Sequence, residues 1–119
     1  MNKFQRNIFK FQRKLYYRFH GHGRYKTHSQ YVYDLYTQCL KPNRSLDLES
    51  NISAIETFIA KQVIKSDYEI VRNINDSPDT LKSWRKRVAD HKGLSVETYR
   101  FGIIFYNEGF KKQAHILNM

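Results

Sequence analysis

With 119 residues the chain has room for one small core, and its one cysteine excludes an internal disulfide and a cage of cysteine ligands around a metal. Its 21 Lys and Arg against 11 Asp and Glu leave a net charge of +10, which points to polyanionic partners (nucleic acid, anionic lipid or an acidic protein) without choosing among them. No apolar run approaches the ~20 residues of a membrane span, and five glycines with two prolines favour helices over a turn-rich β architecture.

The excess charge is concentrated at the start. Lys3, Arg6, Lys10, Arg13, Lys14, Arg18, Arg24 and Lys26 all precede the first acid, Asp34. Within residues 2–19, Phe4, Ile8, Phe11, Leu15 and Phe19 fall at helical spacing, so they line one face of a basic amphipathic helix. Empty of acids, this segment is similar to a mitochondrial targeting sequence. The plainer expectation is an arm that packs its aromatic stripe on the rest of the protein. Gly21 and Gly23 in "HGHGRYK" end the helix.

A next helix is expected from Thr27 or Ser29, with Val32, Leu35, Tyr36, Cys39 and Leu40 on its inner face and Pro42 at its end. Another should begin after Ser45 or Asp47 and run into the low seventies, its stripe being Ile52, Ile55, Ile59, Val63 and Ile70. "NDSPD" interrupts, and Ser77 with Pro78 forms an N-cap and first-turn pair for a helix carrying Leu81, Trp84 and Val88, closed by Gly93. The last quarter, "LSVETYRFGIIFYNEGFKKQAHILNM", reads as a capped helix from Ser95 to about Gly109 or as a hairpin turning at "NEG". Helix is the expectation adopted. The chain thus divides into a basic amphipathic arm (1–26), a three-helix module (27–92) and an extension (93–119).

From Thr27 onward, "THSQYVYDLYTQCLK" and, further on, "IKSDYEIVRNIND" resemble the LYR family of mitochondrial proteins, small basic modules of three helices named for a Leu-Tyr-Arg triplet. Thr37 stands where the family has Arg, and Tyr68 where it usually has Phe. The resemblance implies an all-α, three-helix LYR-like bundle over residues 27–92. It further implies a non-catalytic accessory subunit or assembly factor of a respiratory complex, complex I first among them, on the matrix side of the mitochondrial inner membrane. Family members hold an acyl carrier protein, whose acyl-phosphopantetheine enters the helical core. Carried over by position, the contact residues are Leu35, Tyr36, Thr37, Lys41, Lys65 and Tyr68. A threonine in place of arginine removes the forked, charge-assisted grip on an acidic partner.

A competing resemblance lies in "RVADHKGLSVETYR", which is similar to the helix-turn-helix of bacterial transcription regulators. It implies a small cytoplasmic nucleic-acid-binding protein of bacterial or phage type. Glu97, Thr98 and Arg100 would read bases, with Lys3, Arg6, Lys10, Arg13, Lys14 and Arg18 on phosphates. Lys92 and Tyr99 depart from the motif's apolar turn and compact joining positions.

No active site assembles from the sequence. His20, His22 and His28 lack further ligands at zinc spacing. Cys39 lies on an apolar stripe, which suits a buried inert thiol. Asp47, Glu49 and Glu56 sit near a helix start, where they favour its dipole, and "GHG" lacks the lysine of a phosphate loop. The expectation is a protein that is not an enzyme and has no cofactor of its own. It would dock on other subunits of a large assembly, with peripheral membrane contact through the basic helix a further expectation.

Overall fold

A computed structural model describes residues 2–20, 30–43, 47–62, 67–106 and 112–117. The first element, α1 (Lys3–His20), starts at Asn2, whose side chain accepts from the Gln5 N–H at 2.8 Å while the Gln5 side chain accepts from the Asn2 N–H at 3.2 Å. This reciprocal pair satisfies two of the amides that a helix start leaves without partners.

α2 (Gln30–Leu35) runs directly into a π turn (Tyr36–Leu40), where the Lys41 N–H reaches the Tyr36 carbonyl at 2.8 Å. α3 (Leu48–Lys61) is capped by Asp47, whose carboxylate accepts from the Ser50 N–H at 2.7 Å. Buried Asn51 ties the two together, donating to the Asn43 carbonyl at 2.9 Å and to the Asp47 carbonyl at 2.8 Å. β1 (Tyr68–Arg72) follows, then α4 (Pro78–Asp90), then β2 (Leu94–Glu97), β3 (Phe101–Phe105) and β4 (Gln113–Ile116).

The strands form one sheet in the order β1-β3-β2-β4, with β3 antiparallel to β1 and β2, and β4 parallel to β2. Strand alternation sorts its side chains onto two faces. Leu94, Val96, Phe101, Ile103 and Phe105 join Val32, Leu35, Leu40, Ile55 and Phe58 in the larger apolar cluster, so α2, the π turn and α3 cover one face. Ile104 meets Trp84 and Ile74, with Val71 and Val88 against them, on the face that α4 covers. At Gly102 a Cβ would sit 2.2 Å from the Trp84 ring, so the missing side chain is what lets the indole lie against β3.

This architecture corrects the all-α, three-helix reading. The helix capped by Asp47 stops at Lys61, and Ile70, expected on its stripe, is in β1 paired with Ile103. "YEIVR" and "FGIIF" are β-branched and aromatic runs whose backbone groups pair with each other, and β3 is buried along its whole length. The helix expected from Ser95 is replaced by β2 and β3, which removes the helix that a helix-turn-helix would place in a groove. One sheet takes β1 from the stretch assigned to the three-helix module and β2 to β4 from the stretch assigned to the extension. The mixed sheet conflicts with the bundle that the family resemblance implies, and nothing in the fold supports its mitochondrial and complex I implications. The Ser77 and Pro78 start stands as expected: Ser77 accepts from the Thr80 N–H, and Thr80 accepts from the Ser77 N–H at 2.9 Å.

Candidate docking face and the polar node beneath it

α1 lies on the same side of the sheet as α4, and a polar cluster holds it there. Ser95 and Glu97 alternate with Leu94 and Val96, which sends the Glu97 carboxylate to the α4 side, where it is 3% exposed. It accepts from the Tyr17 hydroxyl of α1, from Trp84 Nε1 at 2.7 Å and from the Arg85 guanidinium at 2.9 Å. Buried Asn75 extends the cluster by donating from Nδ2 to the Tyr17 hydroxyl at 3.0 Å and to the Tyr99 carbonyl at 2.9 Å. Its Oδ1 accepts from Arg13 Nε at 2.8 Å.

Three donors converge on one carboxylate, offsetting the heavy cost of burying its charge. The Tyr17 phenol is pushed well above its ordinary value, first by burial and then by the neighbouring Glu97 charge. It therefore stays protonated as a donor.

Further along α1, Lys10 pairs with Asp76 at 3.0 Å, the Arg13 guanidinium lies 4.2 Å from the centre of the Tyr16 ring, and Lys14 lies 5.4 Å from that of Tyr99. Lys10, Arg13 and Tyr17 follow the i, i+3, i+7 spacing, so they mark the face of α1 that looks inward, with exposed Lys14 at its edge. At 100° per residue, the stripe of Phe4, Ile8, Phe11 and Leu15 is on the opposite side. The exposures agree: Phe4 is 71%, Ile8 43% and Phe11 62% exposed, and Leu15 is half-buried. The expectation that the arm buries its aromatic stripe is therefore reversed for these residues. The Phe19 side chain lies outside the described residues.

Exposed Lys3, Lys14 and Arg18 border the stripe on one side, and Gln5 and Gln12 on the other. α1 contains no acid.

A polar cleft of about 390 Å³ opens beside the node, lined among others by Lys10, Asp47, Asn73, Asp76, Tyr99 and Arg100. Asn73 takes a positive φ of 58° there, a backbone conformation that asparagine tolerates. Both acids are committed. The Lys10 hydrogen bond holds Asp76 below its ordinary range, and hydrogen bonds from Ser50 do the same to Asp47. Neither has the raised pKa of a general acid.

Burial pushes the Cys39 thiol up to about 11, which leaves little thiolate for nucleophilic work. Among the described residues no group of three His, Cys, Asp or Glu could hold a metal ion.

The residues carried over from the LYR resemblance do not meet at a surface. Leu35 and Tyr36 are buried in the larger core, and Tyr68 packs against it from β1. The Thr37 hydroxyl donates to the Tyr33 carbonyl at 2.9 Å, Lys41 is exposed, and Lys65 lies outside the described residues. Of the residues assigned to base reading, Glu97 and Thr98 are buried and Arg100 is half-buried at the cleft. His22 and His28 also lie outside the described residues.

Sequence reasoning missed Tyr17, Asn75, Trp84 and Arg85 as a cluster around Glu97. The signal available was the alternation in "LSVE", which aims a carboxylate away from Leu94 and Val96 and demands a donor set once the segment is read as a strand.

No helix among the described residues is long and apolar enough to cross a membrane. Comparison of the chain with family models, with curated proteins and with solved structures finds no match.

Proposed function

We propose that this is a non-catalytic docking protein that presents α1 to an acidic partner. The observation that carries this reading is the orientation of α1. Its polar face is hydrogen-bonded inward through Tyr17 and Arg13, and its apolar stripe is left in water.

A fold free to choose would turn Phe4 and Phe11 inward. Exposing them on the order of 350 Å² of apolar surface together with Ile8 has a cost that a bound partner removes. The cations bordering the stripe add attraction to negative charge.

Catalysis has less support. The acids of the cleft are paired or capping, the one cysteine is a buried thiol, and the buried Glu97 is enclosed by three donors. Duplex nucleic acid is a weaker fit than an amphipathic partner, because phosphate contacts need the cations and have no use for exposed phenylalanines.

In-cell photo-crosslinking tests the reading. A photo-reactive phenylalanine analogue at Phe11 should give adducts, while the same analogue at exposed Lys82 on α4 should give few. Equal yields at the two positions, or none at Phe11, would remove α1 as the docking face.

A further inference from the structure

We infer that the acidic partner of α1 is an anionic membrane surface, on which the helix lies flat with Phe4, Ile8, Phe11 and Leu15 dipped into the boundary between headgroups and acyl chains. The inference rests on the docking reading and adds the chemistry of the partner.

Three observations select it. The first is shape. The face of α1 held by Tyr17, Arg13 and Lys10 is opposite the stripe, so the sheet and α4 stand behind the helix. From Phe4 to Phe11, about 10 Å along the helix, the stripe can then meet a flat surface without the other described elements intervening.

The second observation is area. Phe4, Ile8 and Phe11 together expose on the order of 350 Å², less than half of the roughly 800 Å² that each partner contributes to a standard protein interface. An interfacial helix needs only a shallow apolar face, sunk about 5–10 Å, together with attraction to charged headgroups.

The third is charge. α1 carries six cations, Lys3, Arg6, Lys10, Arg13, Lys14 and Arg18, and no acid. Lys10 and Arg13 are engaged inward, and the remaining four are exposed. A basic helix with aromatic and aliphatic residues on one face is the composition that binds anionic bilayers by combining both forces.

The arrangement also explains why a polar node is useful in this position. Hydrogen bonds to Glu97 and Asn75 fix the rotation of α1 about its axis, which apolar packing of the same helix would reverse.

The test uses the full chain with vesicles of phosphatidylcholine alone and with phosphatidylglycerol added. Co-sedimentation should show binding to the mixed vesicles at least about tenfold tighter than to the neutral ones, weakened by salt. The doubly substituted Phe4→Ser, Phe11→Ser protein should lose on the order of tenfold or more in partitioning, and its melting temperature should not fall, since both side chains are exposed. A Phe11→Trp protein gives an independent readout: its emission should shift to the blue on mixed vesicles, against the constant signal of buried Trp84.

Equal binding to both vesicle types, no binding to either, or no blue shift would overturn the membrane assignment. If the Phe11 photo-adduct proves to be a protein while vesicles do not bind, the docking reading stands and the lipid inference falls. If neither vesicles nor an adduct is found, both fall.

Discussion

The two faces of the sheet are built from different chemistry. Against α2, the π turn and α3, the sheet presents Leu94, Val96, Phe101, Ile103 and Phe105, all apolar and all within a cluster of buried hydrophobic residues. Against α4 and α1, it presents Gly102, Ile104 and Glu97, and the contact is led by hydrogen bonds among Tyr17, Asn75, Trp84, Arg85 and Glu97. Apolar packing is non-directional and supplies most of the stability, whereas hydrogen bonds are directional and leave donors or acceptors stranded when misaligned. The first face should therefore hold the fold, and the second should hold the orientation of one helix.

Substitutions can break that contrast. The largest effect is expected from Phe105→Ala on the apolar face, where a fully buried ring is lost; chemical denaturation should show a loss of about 4 kcal/mol in global stability, with α1 and the sheet unfolding together. On the polar face, Glu97→Gln keeps an acceptor for one donor but removes the charge facing Arg85. It should cost about 2 kcal/mol, and hydrogen exchange should rise in α1 before it rises in β3. Tyr17→Phe, which deletes one hydroxyl and keeps the ring, should cost about 1 kcal/mol and raise tryptic cleavage at Arg13 and Lys14 with the sheet unchanged. The smallest effect belongs to a surface control: Arg72→Ala breaks an exposed pair with Glu49 and should leave the denaturation midpoint unchanged.

pH sharpens the same contrast. The ordinary phenol value is 10.0, and docking raises that of Tyr17. Its contribution is fully present below the undocked value and is lost as pH rises toward the docked one, because the released phenol ionises and the docked phenol does not. Circular dichroism and proteolysis across the alkaline range should therefore show α1 loosening above about pH 10. Tyr31, held up to about 12 mainly by burial, adds an alkaline loss on the apolar face; Tyr17→Phe should remove the α1 component and leave that of Tyr31.

How far the sequence could be read follows from how local each signal is. Asp47 and Ser77 announce helix starts within three residues, and both caps are present. The spacing of Val32, Leu35, Tyr36, Cys39 and Leu40 reports a buried stripe, and the larger core contains all five. The strands were hidden because Ile70 fits a helical stripe as well as a strand, and because pairing Tyr68 with Phe105 joins segments distant in sequence. The parallel pairing of β2 with β4 is equally non-local. For α1 the stripe was legible but its direction was not. The rule that apolar faces turn inward gave way to hydrogen bonds between residues 62 and 80 positions apart, from Arg13 to Asn75 and from Tyr17 to Glu97. No periodicity within α1 encodes those partners.

The central claim is the rotational setting of α1, and nuclear Overhauser contacts in the intact protein measure it directly. The Tyr17 ring should show cross-peaks to the Asn75 side-chain amide protons, and the rings of Phe4 and Phe11 should show none to α4 or the sheet. Cross-peaks from Phe4 or Phe11 to Trp84, Ile104 or their neighbours, with none from Tyr17 to Asn75, would contradict it.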